Sequence, residues 1–437
     1  MRRIAVIGSG ISGLTAAWVL NRDAHVTLYE AQPRCGGHAH THDLAARQRG
    51  AERVGVDSGF IVHNNRTYPT LLRLFAELGV RTQESDMSMS VSCAGCGLEY
   101  AGGKGLTGLV ATPGALVRGP YLRMLTEVTR FHRMARAEVA RADPDGRTLG
   151  EFLSAARFSS YFIAHFMVPL VAAVWSCPPD VALDYPVGYL LAFLDHHGML
   201  TVLGSPTWRT VTGGSARYVE AITARLPAVR LGAPVRTVTR TADGVTVRDD
   251  ADSVERFDAA VIATHPDQAL ALLDRPSTTE TEVLGALRYS LNHTVLHTDT
   301  SLLPRRSGAR ASWNYRMPSC DVPADRVLVS YDLNRLQRLD PLTDRHFVVT
   351  LGGGDRIDPS QVIATMLYDH PQYTPEFRAA QQRLHTLGDH RLAFAGAYHG
   401  WGFHEDGAAS GVVAAERVGG RWSSAVPPLT DPVGSTA

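Results

Sequence analysis

Lysine is almost missing from this chain. Lys104 stands alone beside forty-two arginines, and the 43 basic residues are matched by 43 Asp and Glu. That balance leaves no bulk field to attract nucleic acid or an anionic membrane surface. Cysteine is scarce too: Cys35, Cys93, Cys96, Cys177 and Cys320 are an odd number in 437 residues, which argues against a disulfide framework and for free thiols in a reducing compartment. The longest apolar run, 158–175, contains His165 and Pro169 and falls short of the ~20 residues of a membrane span, so it reads as a buried or pocket-lining helix. Peripheral membrane contact stays open. Met1-Arg2-Arg3 passes straight into an apolar strand with no signal-peptide pattern, so the expected setting is cytoplasmic. A hydrophobic share of 44% excludes a disordered chain, and the length suits two domains.

What is present begins at the N-terminus. Ile4-Ala5-Val6-Ile7 reads as a central parallel strand and runs into Gly8-Ser9-Gly10-Ile11-Ser12-Gly13, a G-x-G-x-x-G turn. Gly8 permits the tight turn, Gly10 leaves room for a pyrophosphate, and Gly13 lets the next helix pack on the strand. That helix begins at Ile11 and Ser12, where free N–H groups and the dipole favour a diphosphate. A second strand, Val26-Thr27-Leu28-Tyr29, ends in Glu30, placed to accept ribose hydroxyls. Strand, turn, helix, strand and acid together specify a dinucleotide site.

Glu30-Ala31-Gln32-Pro33-Arg34-Cys35-Gly36-Gly37 resembles the E-x-x-x-R-x-G-G extension of the flavin-containing amine oxidase and phytoene desaturase superfamily. The resemblance implies FAD, with Arg34, Gly36 and Gly37 along the diphosphate. Thr212-Gly213-Gly214-Ser215 and the following amphipathic segment look like the stretch with which such proteins re-enter the FAD domain. By the same resemblance Val235 faces the adenine and Ala263 lies near the ribityl chain. The strand ending in Gly396, then Phe403-His404-Glu405-Asp406-Gly407-Ala408, resembles the C-terminal strand and helix that close the cofactor site. Ala397 stands where the family carries Asp or Glu, and Asp406 or a water is the expected replacement. Val56-Asp57-Ser58-Gly59-Phe60-Ile61-Val62-His63-Asn64 and 397–407 resemble one bacterial branch of FAD-binding proteins discussed with cyclopropane-fatty-acid-synthase-like methyltransferases. Asp57, Ser58, Gly59 and Phe60 are thereby implied at the cofactor, with Asp57 fixing the loop.

The expected fold is α/β: a Rossmann-like FAD domain of the glutathione-reductase type from 1–68, 205–285 and 390–424, an inserted mixed α+β substrate domain from 69–204 and 286–389, and a flexible tail at 425–437. The spacer 141–146 reads as a turn between helices. His63 and His404 border the flavin ring by resemblance, as proton acceptors or only as hydrogen-bonding groups. Tyr315, with Trp313 and Tyr331, is expected near the flavin as part of a wall suited to an apolar chain. Lys104 sits in a Gly-rich turn that does not match the lysine of ordinary amine oxidases. No metal is expected: His38, His40 and His42 alternate on a polar face without a carboxylate or thiol complement, and Cys93-Ala94-Gly95-Cys96 supplies two of the four ligands a structural zinc needs. The expected activity is FAD-dependent oxidation or desaturation of a small apolar or lipid-like substrate such as an unsaturated acyl chain. A double-bond isomerase without net redox change and a flavin-binding accessory subunit of a methyltransferase remain alternatives. The sequence is silent on oligomeric state.

Overall fold

The apolar strand Arg2–Ile7 lies at the centre of a five-stranded parallel sheet in a computed structural model that describes residues 1–46, 52–141, 146–201, 204–320 and 327–422. The expected tail and residues 142–145 of the spacer lie outside those residues. The strand order is Ala228–Arg230, Ala24–Tyr29, Arg2–Ile7, Ala259–Ile262, Leu392–Phe394. Chain direction is shared throughout, and the connections leave Arg2–Ile7 towards both edges, which opens a crevice beyond its carboxyl end. The helix Ile11–Leu20 that follows has nine of its ten residues buried, because the sheet covers one side and the helix His404–Arg417 the other. Close approach of those two helices rests on glycine. A Cβ on Gly411 would stand 2.3 Å from the Ser12 carbonyl oxygen.

An antiparallel meander, Val235–Thr241, Gly244–Asp249 and Val254–Phe257, turns at Ala242-Asp243 as its sequence signals. A second large sheet has seven strands in the order Val362–Pro371, Tyr289–His297, Val348–Leu351, Val329–Asp332, Trp313–Met317, Met89–Cys93, Glu99–Gly102. It is antiparallel except where Trp313–Met317 runs alongside Met89–Cys93. The apolar stretch at 158–175 is helical, as expected, and ends against that sheet, with Ala173 to Ser176 reaching the crevice. Among the described residues no helix is long and apolar enough to cross a membrane.

Candidate functional site

The crevice is one continuous cavity of about 840 Å³, running from the glycine turn to the seven-stranded sheet. At its first end the backbone does the shaping. Gly8 adopts φ +97°, and a Cβ there would meet the Ala263 carbonyl oxygen at 2.6 Å; a Cβ on Gly13 would fall 1.9 Å from the Gly8 oxygen. Gly10 differs from both, because a Cβ there would meet no non-neighbouring atom of the described residues within 4 Å. Its surroundings are space kept open at a helix N-terminus, the place a diphosphate takes. Glu30 is already organised: it accepts from the Ser9 N–H at 3.0 Å, the Ser9 hydroxyl and the Gln32 N–H at 2.8 Å, while Ser9 Oγ accepts from Gly36 N–H at 3.1 Å. Ser9, which sequence reasoning passed over as the variable residue of the motif, ties the acid to the E-x-x-x-R-x-G-G loop. Arg34 donates to the Gly37 carbonyl at 2.9 Å and lines the cavity.

Gly8, Gly10, Ile11, Ser12, Glu30, Arg34, Gly37, Ser58, Gly59, Phe60, Val235, Ala263, Gly396, Phe403 and His404 all line this cavity. The fold therefore collects in one place what the chain distributes over almost four hundred residues. Gly13 and Gly36 act beneath the surface; a Cβ on Gly36 would lie 2.4 Å from the Ala39 oxygen. Three polar atoms of the cavity's lining residues, His38 Nε2, Tyr398 Oη and Trp401 Nε1, are buried without a hydrogen-bond partner among the described residues. Buried polar groups are rarely left so, and a bound polar ligand supplies what they lack. These features fit FAD.

Several expected residues stand elsewhere. Asp57 is fully buried and off the cavity wall: its carboxylate accepts from the Ser215 N–H at 3.0 Å, the Ser215 hydroxyl at 2.7 Å, Thr41 Oγ1 and Gln337 Nε2 at 2.9 Å. It clamps three segments together and so holds the loop. Glu405 turns away and accepts from the N–H groups of Thr70 and Leu71, both at 2.9 Å, capping the helix Pro69–Leu78. Asp406 folds back to accept from Phe403 N–H at 2.9 Å, burial raises its carboxyl to about 7, and it is not among the lining residues, whereas Ala397 is. Gly407 serves packing, with a Cβ there only 2.7 Å from Ile11 Cγ2, and Ala408 is fully buried.

The expected catalytic trio separates in the same way. His63 is fully buried beside Phe75, at 5.4 Å between ring centroids, and is not a lining residue. It follows Val62, which does line the cavity, and side chains alternate along the strand Val62–Asn64, so the imidazole takes the other face. Tyr315 is 3% exposed and off the wall; its strand neighbours Trp313 and Tyr331, packed edge to face at 5.2 Å, line the cavity instead. His404 does line it. Its ring stacks on Phe60 at 3.6 Å, its Nε2 lies 3.3 Å from Tyr218 Oη, and burial, aided by nearby His63, lowers its pKa to about 3.

Around the rest of the opening, His40 Nδ1 meets Tyr368 Oη at 2.9 Å and His42 Nε2 meets Ser58 Oγ at 2.9 Å, so these alternating histidines serve a hydrogen-bonded rim. Lys104 is not on the wall and donates to the Arg310 carbonyl at 2.7 Å. At the end remote from the glycine turn, the seven-stranded sheet contributes Trp313, Tyr331, Leu351 and Met366 to the wall, beside Trp175 of the helix packed on it.

The profile of the family described as flavin containing amine oxidoreductase matches residues 11–344. A Mycobacterium tuberculosis protein, provisionally named flavin-containing monoamine oxidase AofH, is 30% identical over 270 residues, 58% of this chain and 54% of its own length. The chain thus spans about half the length of the curated relatives it matches. Among solved structures, cyclohexylamine oxidase from Brevibacterium oxydans IH-35A superposes with a TM-score of 0.65 at 18% identity, covering 95% of this chain and 98% of the other. A CLA-producing fatty acid isomerase from P. acnes superposes with a TM-score of 0.65 at 15% identity, covering 94% and 97%. At these identities the structural likeness shows the fold.

Proposed function

This chain belongs to the flavin containing amine oxidoreductase family and is an FAD-dependent oxidoreductase, and from that premise we propose that it dehydrogenates an apolar, lipid-like substrate such as an unsaturated acyl chain. The supporting observation is the remote end of the cavity. Trp175, Trp313, Tyr331, Leu351 and Met366 offer apolar surface and no carboxylate that would hold an ammonium group. The acids on the wall are already engaged: Glu30 is bound to Ser9, and Asp369, three residues along the strand from Met366, lies 3.6 Å from His265 Nδ1.

When bound, FAD supplies the two-electron acceptor that takes a hydride. The protein's share is orientation, exclusion of water and a neutral wall. Burial and the helix N-terminus both oppose a charge on His404, which suits it to hydrogen-bond a ligand and makes it a poor proton acceptor at neutral pH. The setting proposed is the reducing cytoplasm, supported by five cysteines that form no disulfide.

The test is anaerobic absorption spectroscopy of the yellow protein mixed in turn with unsaturated acyl lipids and with simple amines. Bleaching by acyl lipids alone is expected. Bleaching by amines alone overturns the reading, and an unbleached protein that nevertheless moves a double bond in the lipid replaces it with the isomerase.

A further inference from the structure

Off the cavity wall, the fold completes a cluster that chain order conceals. Cys93 and Cys96 form the C-x-x-C of a hairpin turn between Met89–Cys93 and Glu99–Gly102; Cys320 follows the strand Trp313–Met317; His165 belongs to the helix of the first insertion. Their three sulfurs and one imidazole nitrogen all lie within 4.8 Å of one another. Cys93 Sγ is 3.5 Å from Cys320 Sγ, and Cys96 Sγ is 3.7 Å from His165 Nε2. Bond lengths of about 2.3 Å to sulfur and 2.0–2.1 Å to nitrogen put the edges of a tetrahedron around zinc near 3.5–3.8 Å. A disulfide would instead need sulfurs about 2.05 Å apart.

The surroundings are arranged for ligation. In the turn, Gly97 adopts φ +68° and its N–H donates to the Cys93 carbonyl at 2.9 Å, while the amides of Cys96 and Leu98 donate to the sulfurs of Cys93 and Cys96. Thiolates need such donors. Gly95 is required by crowding, since a Cβ there would come 2.9 Å from Cys320 N. Parallel pairing of Cys93 with Met317 brings the two cysteine-bearing chain ends out side by side. His165 sits in the middle of Ile163–Met167, a five-residue stretch of π-helix, a distortion that re-aims side chains and recurs at functional sites. Its Nδ1 lies 3.2 Å from the Tyr161 carbonyl, which fixes the proton there and leaves Nε2 to ligate. Tyr161 stacks on the imidazole at 3.9 Å and sets its hydroxyl 3.8 Å from Cys96 Sγ.

We propose that Cys93, Cys96, Cys320 and His165 bind one zinc ion in a closed tetrahedral site. The cysteines bind as thiolates, releasing their protons to solvent, and His165 binds as neutral imidazole. With four protein ligands and no open position, the ion is structural. It fastens the hairpin, the strand end and the helix into one unit, and that helix continues to Ala173–Ser176 on the cavity wall. The site thus anchors the apolar end of the cavity from outside it.

Metal analysis of the flavin-loaded protein, grown with zinc and purified without chelator, is expected to find about one zinc per chain. Zinc X-ray absorption, which the flavin does not obscure, should give three sulfurs and one nitrogen. His165→Leu and Cys320→Ser should lower zinc to below about a tenth of an equivalent, whereas His165→Cys should keep the ion with four sulfurs, so retention by that variant guards against a misfolded control. Substoichiometric metal in the wild-type protein, a zinc shell without sulfur, or a Cys93–Cys320 disulfide found by mass spectrometry each overturns the proposal.

Discussion

The two ends of the cavity are built by opposite means. At the glycine end, backbone amides, left-handed glycines and a helix terminus between residues 8 and 37 create the shape, and side chains mostly hold the backbone still. At the remote end, side chains from five separated elements make the wall: Trp175, Trp313, Tyr331, Leu351 and Met366, the last two on the strands either side of Tyr289–His297. A site made of backbone obeys local rules of spacing. A site made of strand faces depends on pairing register, which moves every side chain to the other face with a slip of one residue.

The sharpest way to break the comparison is at its glycine end, where two positions of one motif should behave differently. Gly13→Ala places a Cβ 1.9 Å from a carbonyl oxygen that cannot move without the strand, and the expected outcome is loss of soluble yellow protein. Gly10→Ala meets nothing among the described residues, so the melting temperature of the flavin-free form should stay within about 1 °C while the flavin Kd weakens tenfold or more, about 1.4 kcal/mol. Unchanged flavin affinity in Gly10→Ala would falsify the assignment of that open space to the diphosphate.

At the other end, Trp313→Ala should leave flavin occupancy and spectrum intact and raise the lipid concentration needed for half-maximal bleaching about tenfold. Loss of flavin in that variant would erase the distinction between the two ends, because a side chain of the remote wall would then be holding the cofactor.

Legibility follows the same division. The parallel sheet, the turn at Gly8 to Gly13 and the helix at Ile11 could be read from residues in chain order, and the fold assembles them as expected. The resemblance to a flavoprotein family carried the reading to Val235, Ala263, Gly396 and His404, which no periodicity would have linked. At Asp57, Glu405 and Asp406 it led to carboxylates that the fold turns to its own backbone. A motif marks residues that are needed, and these three are needed by the protein's own backbone: one clamps segments, one caps a distant helix, one closes its own helix start. Tyr315 lies off the wall for a simpler reason. It shares a strand face with Trp313, and only the three-dimensional course of the wall decides which of the two the cavity reaches. The thiol cluster shows the limit of counting ligands along a chain, since two of its four members are supplied by tertiary contact.

A smaller effect concerns pH and applies to both ends together, because histidines rim the whole opening. Burial pushes His40 down to about 3, His370 to about 4 and His404 to about 3, against an ordinary 6.5. Between those values the unfolded chain binds protons that the folded chain does not, so stability is full above pH 6.5 and falls as pH drops towards 4. Asp57, raised to about 6, and Asp406, raised to about 7, work in the opposite direction over part of this window, but His63, His197, His297 and His399, all lowered to about 4, join the larger group. The melting temperature of the flavin-free protein should therefore decrease steadily from pH 7 to pH 5. A flat or rising profile would show that the carboxyls dominate.

Glu405 gives the smallest expected effect and the finest cut between scaffold and site. Its two oxygens take the N–H groups of Thr70 and Leu71, two donors that a helix start otherwise leaves unpaired. Glu405→Ala should cost about 1 kcal/mol of stability by denaturant titration, and Glu405→Gln less, since one acceptor oxygen remains. Neither should shift the flavin Kd. The neighbouring His404 lies on the wall and Glu405 does not, so adjacent residues of one motif would divide between ligand and fold; a flavin Kd that moved with Glu405 would mean that the helix start transmits its position to the cavity as one rigid piece.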